Sequence, residues 1–247
     1  MKGIILKGGE IGYRNLPKTA STSIKRALYK IENNSGYCRV ESGMTIHKYF
    51  NNKKSMDACE YRFVVIRDPV KRFLSAYGNR VTHHKELSEA NIREKFPQQY
   101  RQMPYFDPGL GQFIDHFETY FKVGPIRHHF KPIRAFFEGK DLRYFTDVYP
   151  MENLDRLAFD LSERFGGPVE FDRLQTGGIK YRLRDLNHDQ LNKIIKFYAR
   201  DYQLLAGYYS ADDIWREWRG SQHDSLVCEP APILDRAVRR IKKVITR

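Results

Sequence analysis

Residues 61–77 read YRFVVIRDPVKRFLSAY, and the change of period inside this stretch sets the fold. Tyr61 to Ile66 is a β-branched and aromatic run suited to a buried strand. Asp68-Pro69 then opens a helix, with proline in the first turn where a missing N–H costs nothing, and Phe73, Leu74 and Tyr77 form its apolar face. Arg67 stands where the strand ends and Ser75 lies two helical turns further on, so both can flank one ligand at the sheet edge. An arginine fork matches a phosphate and a hydroxyl completes its shell. The plainer reading of the same residues is an Arg-Asp pair capping a helix.

Upstream, the pattern repeats. A strand is expected over about Ile11 to Leu16, then the loop Pro17 to Ala20, then a helix from Ser21 to about Ile31. Pro17 stops the strand, and Ser21 or Thr19 can cap the helix. Between strand and helix lies LPKTASTSI, residues 16–24. Its small residues let the backbone wrap a ligand, and the free N–H groups of a helix start attract phosphate or sulfate. Lys18, Thr19, Ser21, Thr22 and Ser23 add one cation and four hydroxyls, which together make an oxyanion cradle. The nucleoside-triphosphate loop G-x-x-x-x-G-K-[ST] is absent, because here the lysine comes first and both glycines are missing. A Ser/Thr-rich cap with a solvated lysine is the competing description.

Downstream, a strand is expected near Arg143 to Tyr149 and a helix over about Asp155 to Phe165, with Leu154, Leu157 and Leu161 at helical spacing. The strongest periodicity runs from about Asp189 to Leu205 through Leu191, Ile194, Ile195, Tyr198 and Tyr202, which is a core stripe. Strands alternating with helices imply an α/β fold whose mainly parallel sheet is covered on both faces and binds ligands at its carboxyl edge. No linker or repeat divides the 247 residues, so one domain over 1–247 is expected.

The 43 Lys and Arg against 30 Asp and Glu give a net charge of +13, which favours an anionic partner. Three cysteines without C-x-x-C spacing, Cys38, Cys59 and Cys228, suggest neither a disulfide framework nor zinc. With no apolar leader and no run of about 18 apolar residues, neither a signal peptide nor a membrane span is expected, and a cytoplasmic location fits. No histidine spacing such as H-E-x-x-H argues for a metal.

Taken together, the loops at 16–24 and 64–77 resemble those of sulfotransferases that use 3'-phosphoadenosine 5'-phosphosulfate (PAPS), especially the carbohydrate type that includes the chondroitin and dermatan 4-O and heparan sulfate 2-O enzymes. The resemblance continues more weakly through IRHHFKP (126–132), DVYPMENL (147–154) and the 198–208 segment. It implies a three-layer sandwich of the P-loop-like sulfotransferase kind. It also implies that Pro17, Lys18, Thr19, Ala20, Ser21, Thr22 and Ser23 hold the 5'-phosphosulfate, that Arg67 and Ser75 hold the 3'-phosphate, and that Lys180, in the loop Gln175 to Tyr181, closes over the nucleotide. No metal is expected.

Lys18 is then the cation on the leaving oxygen. His47 lies in the interval where the heparan sulfate 2-O relatives carry their essential histidine, and is the candidate base. His83, His84, His128, His129 and Glu152 are candidate acceptor contacts or alternative bases. The sequence departs from the family at 128–130, where a tryptophan is usual, and at 204–206, where a phenylalanine precedes glycine, so the acceptor side is read less directly than the donor side. The expected partners are PAPS, its product PAP and a hydroxyl-bearing acceptor, chiefly a glycan, with no nucleic acid. Two other readings are a divergent P-loop-type kinase and a non-enzymatic binder of an anionic polymer. The latter would use a basic amphipathic helix at about 231–247, where Leu234, Ala237, Val238, Ile241 and Val244 form an apolar stripe.

Overall fold

The structure is a computed structural model that describes residues 1–172 and 178–227. The basic helix expected at 231–247, Cys228 and residues 175–177 of the expected closing loop lie outside the described residues. Five strands, β1 (Lys2–Leu6), β2 (Ile11–Arg14), β3 (Lys54–Ser55), β4 (Tyr61–Ile66) and β5 (Asp147–Pro150), form one sheet in the order β3-β1-β2-β4-β5. β1 runs antiparallel to both its neighbours, whereas β2, β4 and β5 pair in parallel. Four strands therefore point one way and β1 alone opposes them. The carboxyl ends of β2, β4 and β5 emerge at a single edge, with Arg14 opposite Val64 and Ile66 opposite Pro150.

β4 shows why the sheet is buried. Tyr61, Phe63 and Val65 pack with Ile24 and Leu28 of the Ser21–Asn33 helix and with Leu157 and Leu161 of the Leu154–Phe165 helix. Val64 and Ile66 pack with Leu16, Ile133, Phe137 and Leu205. Alternate side chains of one strand thus feed opposite clusters, at roughly 1.5–3 kcal/mol for each large apolar side chain buried. A third cluster joins Phe73 and Tyr77 to Phe113, Phe130, Leu191 and Tyr198.

Several boundaries differ from the sequence expectation. β2 stops at Arg14, two residues before Leu16, because the chain already bends toward the cradle. β1 was not foreseen, since glycine is a poor strand former. Here it is required: a Cβ on Gly3 would lie 2.7 Å from the backbone oxygen of Tyr13 and against the Met56 side chain. The segment before β5 is a short 3-10 turn, Leu142–Tyr144. The long helix of 189–205 is two, His188–Phe197 and Ala199–Leu204, interrupted at Tyr198 with φ −99°. Tertiary bonds hold that break: the Tyr198 hydroxyl donates to Phe130 O at 2.5 Å, and the Asp201 carboxylate accepts from the Ile133 and Arg134 N–H groups.

Candidate active site

The loops that follow β2, β4 and β5 enclose a cavity of about 1060 Å³ at the carboxyl edge of the sheet. The first loop is held tightly. Lys18 and Ala20 both take left-handed backbone angles, φ 68° and 54°, a conformation that costs a side-chain-bearing residue of order 1 kcal/mol and that clusters at ligand sites. Neither Thr19 nor Ser21 caps the helix, contrary to expectation. Ala20 occupies the cap position without a side-chain bond, and the fully buried Thr19 donates its hydroxyl to Leu16 O at 3.0 Å. Thr19 therefore braces the turn from behind. The first helical bond is made by Ile24 N to Ala20 O, which leaves the N–H groups of residues 21–23 at the open end of the helix.

The second loop meets the first. Asp68 accepts from Lys71 N at 3.0 Å and caps the Pro69–Ala76 helix, while Arg67 Nη1 donates to Lys18 O at 3.2 Å. Burial, reinforced by the neighbouring charges of Arg67 and Arg80, pushes the Lys18 ammonium down to about 8. Burial likewise raises Asp68 to about 6, against its bonds to Lys71 N–H and Tyr202. Cations that are partly stripped of water and repel one another are poised to take up an anion.

Of the residues singled out from sequence, Pro17, Lys18, Ala20, Ser21, Thr22, Ser23, His47, Arg67, Ser75, His84, His129, Glu152 and Lys180 line this cavity. Thr19, His83 and His128 do not. His47 sits on a short helix, Ile46–Tyr49, whose start is capped by Thr45. Its Nδ1 lies 3.1 Å from Lys25 Nζ and its Nε2 3.3 Å from Thr22 Oγ1. Burial, then the charges of Lys25 and Arg80, lower its pKa. His129 is pushed far down by burial and by Arg80, and its buried Nδ1 has no hydrogen-bond partner among the described residues. Glu152 accepts from the Tyr209 hydroxyl at 2.6 Å and offsets the Arg67 charge, which places it on the Arg67 side of the cavity.

Arg80 is a cation the sequence reading missed. It lines the cavity, pairs with Glu86 and acts on Lys18, His47, His84, His128 and His129 alike. In an α-helix a residue five places after Ser75 would be turned about 140° away. The chain here widens into a π-helix over Tyr77–His83, a form that recurs at functional sites.

Residues 178–182 form the facing wall, with Lys180 exposed on it. They pass so near Gly78 that a Cβ there would lie 2.4 Å from Ile179 O. Backbone cannot yield to that contact cheaply, so Gly78→Ala is expected to lower the unfolding free energy by about 1–3 kcal/mol, read as an earlier urea midpoint. An unchanged midpoint would show that this wall is not seated as described.

Among the described residues no helix is long and apolar enough to cross a membrane, and no group of three or more His, Cys, Asp or Glu side chains is placed to hold a metal ion. A family model described as the sulfotransferase family matches residues 4–209, a span that includes all three cavity loops. No curated protein and no solved structure matches the chain.

Proposed function

We propose, for a chain that belongs to the sulfotransferase family by its match over residues 4–209, that it moves a sulfuryl group from PAPS to a hydroxyl of a carbohydrate, with Lys18 serving the leaving oxygen and His47 the incoming hydroxyl. The observation that carries this reading is the union of two anion-binding loops, 17–23 and Arg67/Ser75, in one cavity and tied by the Arg67–Lys18 bond. The donor set fits such a nucleotide. Helix-start N–H groups and hydroxyls suit a phosphosulfate, an arginine fork suits a second phosphate, and Leu154, Ala158, Val169 and Phe171 give a base an apolar wall. The finer fold reading, a three-layer P-loop-like sandwich in one domain, rests on the two apolar clusters that take alternate side chains of β4.

PAPS supplies the sulfuryl group, and negative charge grows on the oxygen that leaves sulfur. A cation preorganised at that oxygen lowers the barrier because its interaction strengthens as the bond lengthens; Lys18 is that cation. His47 at the cavity rim takes the hydroxyl proton. Arg67 and Ser75 fix the far arm of the nucleotide and so the line of attack.

PAP at 100 times its Kd is expected to stabilise the fold by about 2.7 kcal/mol, a rise of roughly 5–10 °C in Tm for a chain of this size, and to do so better than ATP with magnesium. The pH dependence follows from Lys18. Its ammonium titrates near 8 in the free protein, and an anionic ligand must raise that value. Affinity is therefore full below pH 8 and falls by about tenfold per unit above it, until the pKa of the complex is passed. A Tm unmoved by PAP, with Lys18 intact, would end this reading. Transfer of labelled sulfate from PAPS across a panel of glycans and lipids tests the acceptor class.

A further inference from the structure

His47 has both ring nitrogens occupied, and the two contacts bear directly on what it can do as a base. Lys25, on the Ser21–Asn33 helix, is 4% exposed and sits 3.1 Å from His47 Nδ1. No carboxylate pairs with it among the described residues; the charge acting on it is that of Lys53. The groups facing the pair from other elements are Lys53 in the segment after the His47 helix and Arg80 on the π-helix, with His128 beyond them. None is an acid. A lysine that is buried, unpaired with any carboxylate and close to another cation sheds its proton readily.

An ammonium has three donors and no acceptor. While Lys25 is charged it can only donate, so Nδ1 must accept and the proton of the neutral ring resides on Nε2. Nε2 then points an N–H toward Thr22 Oγ1 and has no lone pair for a hydroxyl proton. When Lys25 becomes an amine, it accepts from Nδ1–H, the ring changes tautomer and Nε2 presents a lone pair on the Thr22 side, where a hydroxyl can donate to it. The geometry points to a two-residue relay in which His47 is a competent base only while Lys25 is unprotonated, Lys25 being a positioning residue that acts through the ring. This rests on the reading of His47 as the base. In the step itself the acceptor hydroxyl proton passes to Nε2 as the Nδ1 proton passes to Lys25 Nζ. The acceptor oxygen bonds to sulfur, and the bond from sulfur to its bridging oxygen breaks with the electron pair leaving on PAP. Lys25 ends as an ammonium and returns its proton to solvent.

The test is long-range ¹H–¹⁵N NMR of the full chain between pH 6 and 10, with the His47 ring assigned by loss of its signals in His47→Ala. The expected result is a tautomer exchange with a midpoint near 8, where burial and Lys53 place Lys25, and its disappearance in Lys25→Met. A ring that keeps one tautomer across this range, or that changes identically in Lys25→Met, overturns the relay. Rates give a second readout. Lys25→Arg holds a permanent cation and should lower kcat by about 10²-fold at every pH, whereas Lys25→Met should carry the acidic limb of kcat down to the value of the histidine alone. Superimposable profiles for the two variants overturn the relay as well. Wild-type turnover in His47→Ala would instead remove the base reading and the relay with it, a result distinct from a static tautomer in an otherwise His47-dependent enzyme.

Discussion

Lys18→Ala is expected to lower kcat for sulfate transfer by about 10²–10³-fold, the usual cost of removing one preorganised donor from a developing oxyanion. The loss should fall on kcat more than on nucleotide affinity. The helix-start N–H groups, Ser21 to Ser23 and Arg67 remain to hold the ground state, while the charge that Lys18 meets is greatest in the transition state. The fold should not suffer. Lys18 is partly dehydrated and repelled by Arg67 and Arg80, so its removal relieves a cost. Its backbone already occupies the left-handed region, where alanine is no worse off than lysine. Unfolding midpoints within a few degrees of wild type, or slightly higher, are therefore expected beside the lost rate. Lys18→Arg should rescue little, because a flat guanidinium cannot take the place of a compact ammonium inside so tight a turn. If labelled sulfate still moved at a third of the normal rate in Lys18→Ala, the leaving-group role would have to be given to another cation of the wall, such as Arg80 or Arg182.

The parts of this site that could be read from sequence are those set by local chemistry. A strand that ends just before Arg67 and a run of hydroxyls at a helix start are each decided within a few residues, and β4 runs over Tyr61–Ile66 as its β-branched pattern requires. Because β2 and β4 are parallel neighbours, two loops fifty residues apart in the chain arrive at one edge. The 154–165 helix and the core stripe through Leu191, Ile194 and Tyr198 were legible for the same reason, since apolar period depends on burial alone.

What could not be read depends on tertiary contacts that leave no local trace. Arg80 needs the π-helix to face the cavity, and nothing in YGNRVTH announces an extra residue in the turn. The break at Tyr198 is imposed by Phe130, Ile133 and Arg134 from a distant segment, against a helical pattern that continues unbroken in the sequence. Lys25 looks like an ordinary solvated position of an amphipathic helix until the Ile46–Tyr49 turn is laid across it. The same is true of Glu152, whose bond from the Tyr209 hydroxyl and place beside Arg67 no local pattern announces.

Arg72 illustrates the limit most sharply, and its replacement should have the largest effect on stability. It stands between Arg67 and Ser75 in the sequence, yet it is 1% exposed and does not line the cavity. Its Nη1 donates to His129 O at 3.0 Å and its Nη2 to Lys131 O at 2.7 Å, and its guanidinium lies over the Tyr198 ring at 5.4 Å. It also supplies positive charge to the buried Asp201, which holds the Ile133 and Arg134 N–H groups. One side chain thus fastens the end of the 124–130 helix, and with it His129, to the helix that carries Ser75. Arg72→Met fills much of the volume but leaves two partly buried carbonyls without their guanidinium donors and Asp201 short of a counter-charge. Losing one member of such a buried charged set typically costs 3–5 kcal/mol, here a fall of about 6–20 °C in Tm. Arg72→Lys keeps the charge without the two-pronged geometry and should fall between. Because the loss acts through packing, PAP affinity measured well below the new midpoint should drop only where the His129 wall meets the ligand. A variant that melted within two degrees of wild type would mean that the 129–134 segment is held by its apolar contacts alone.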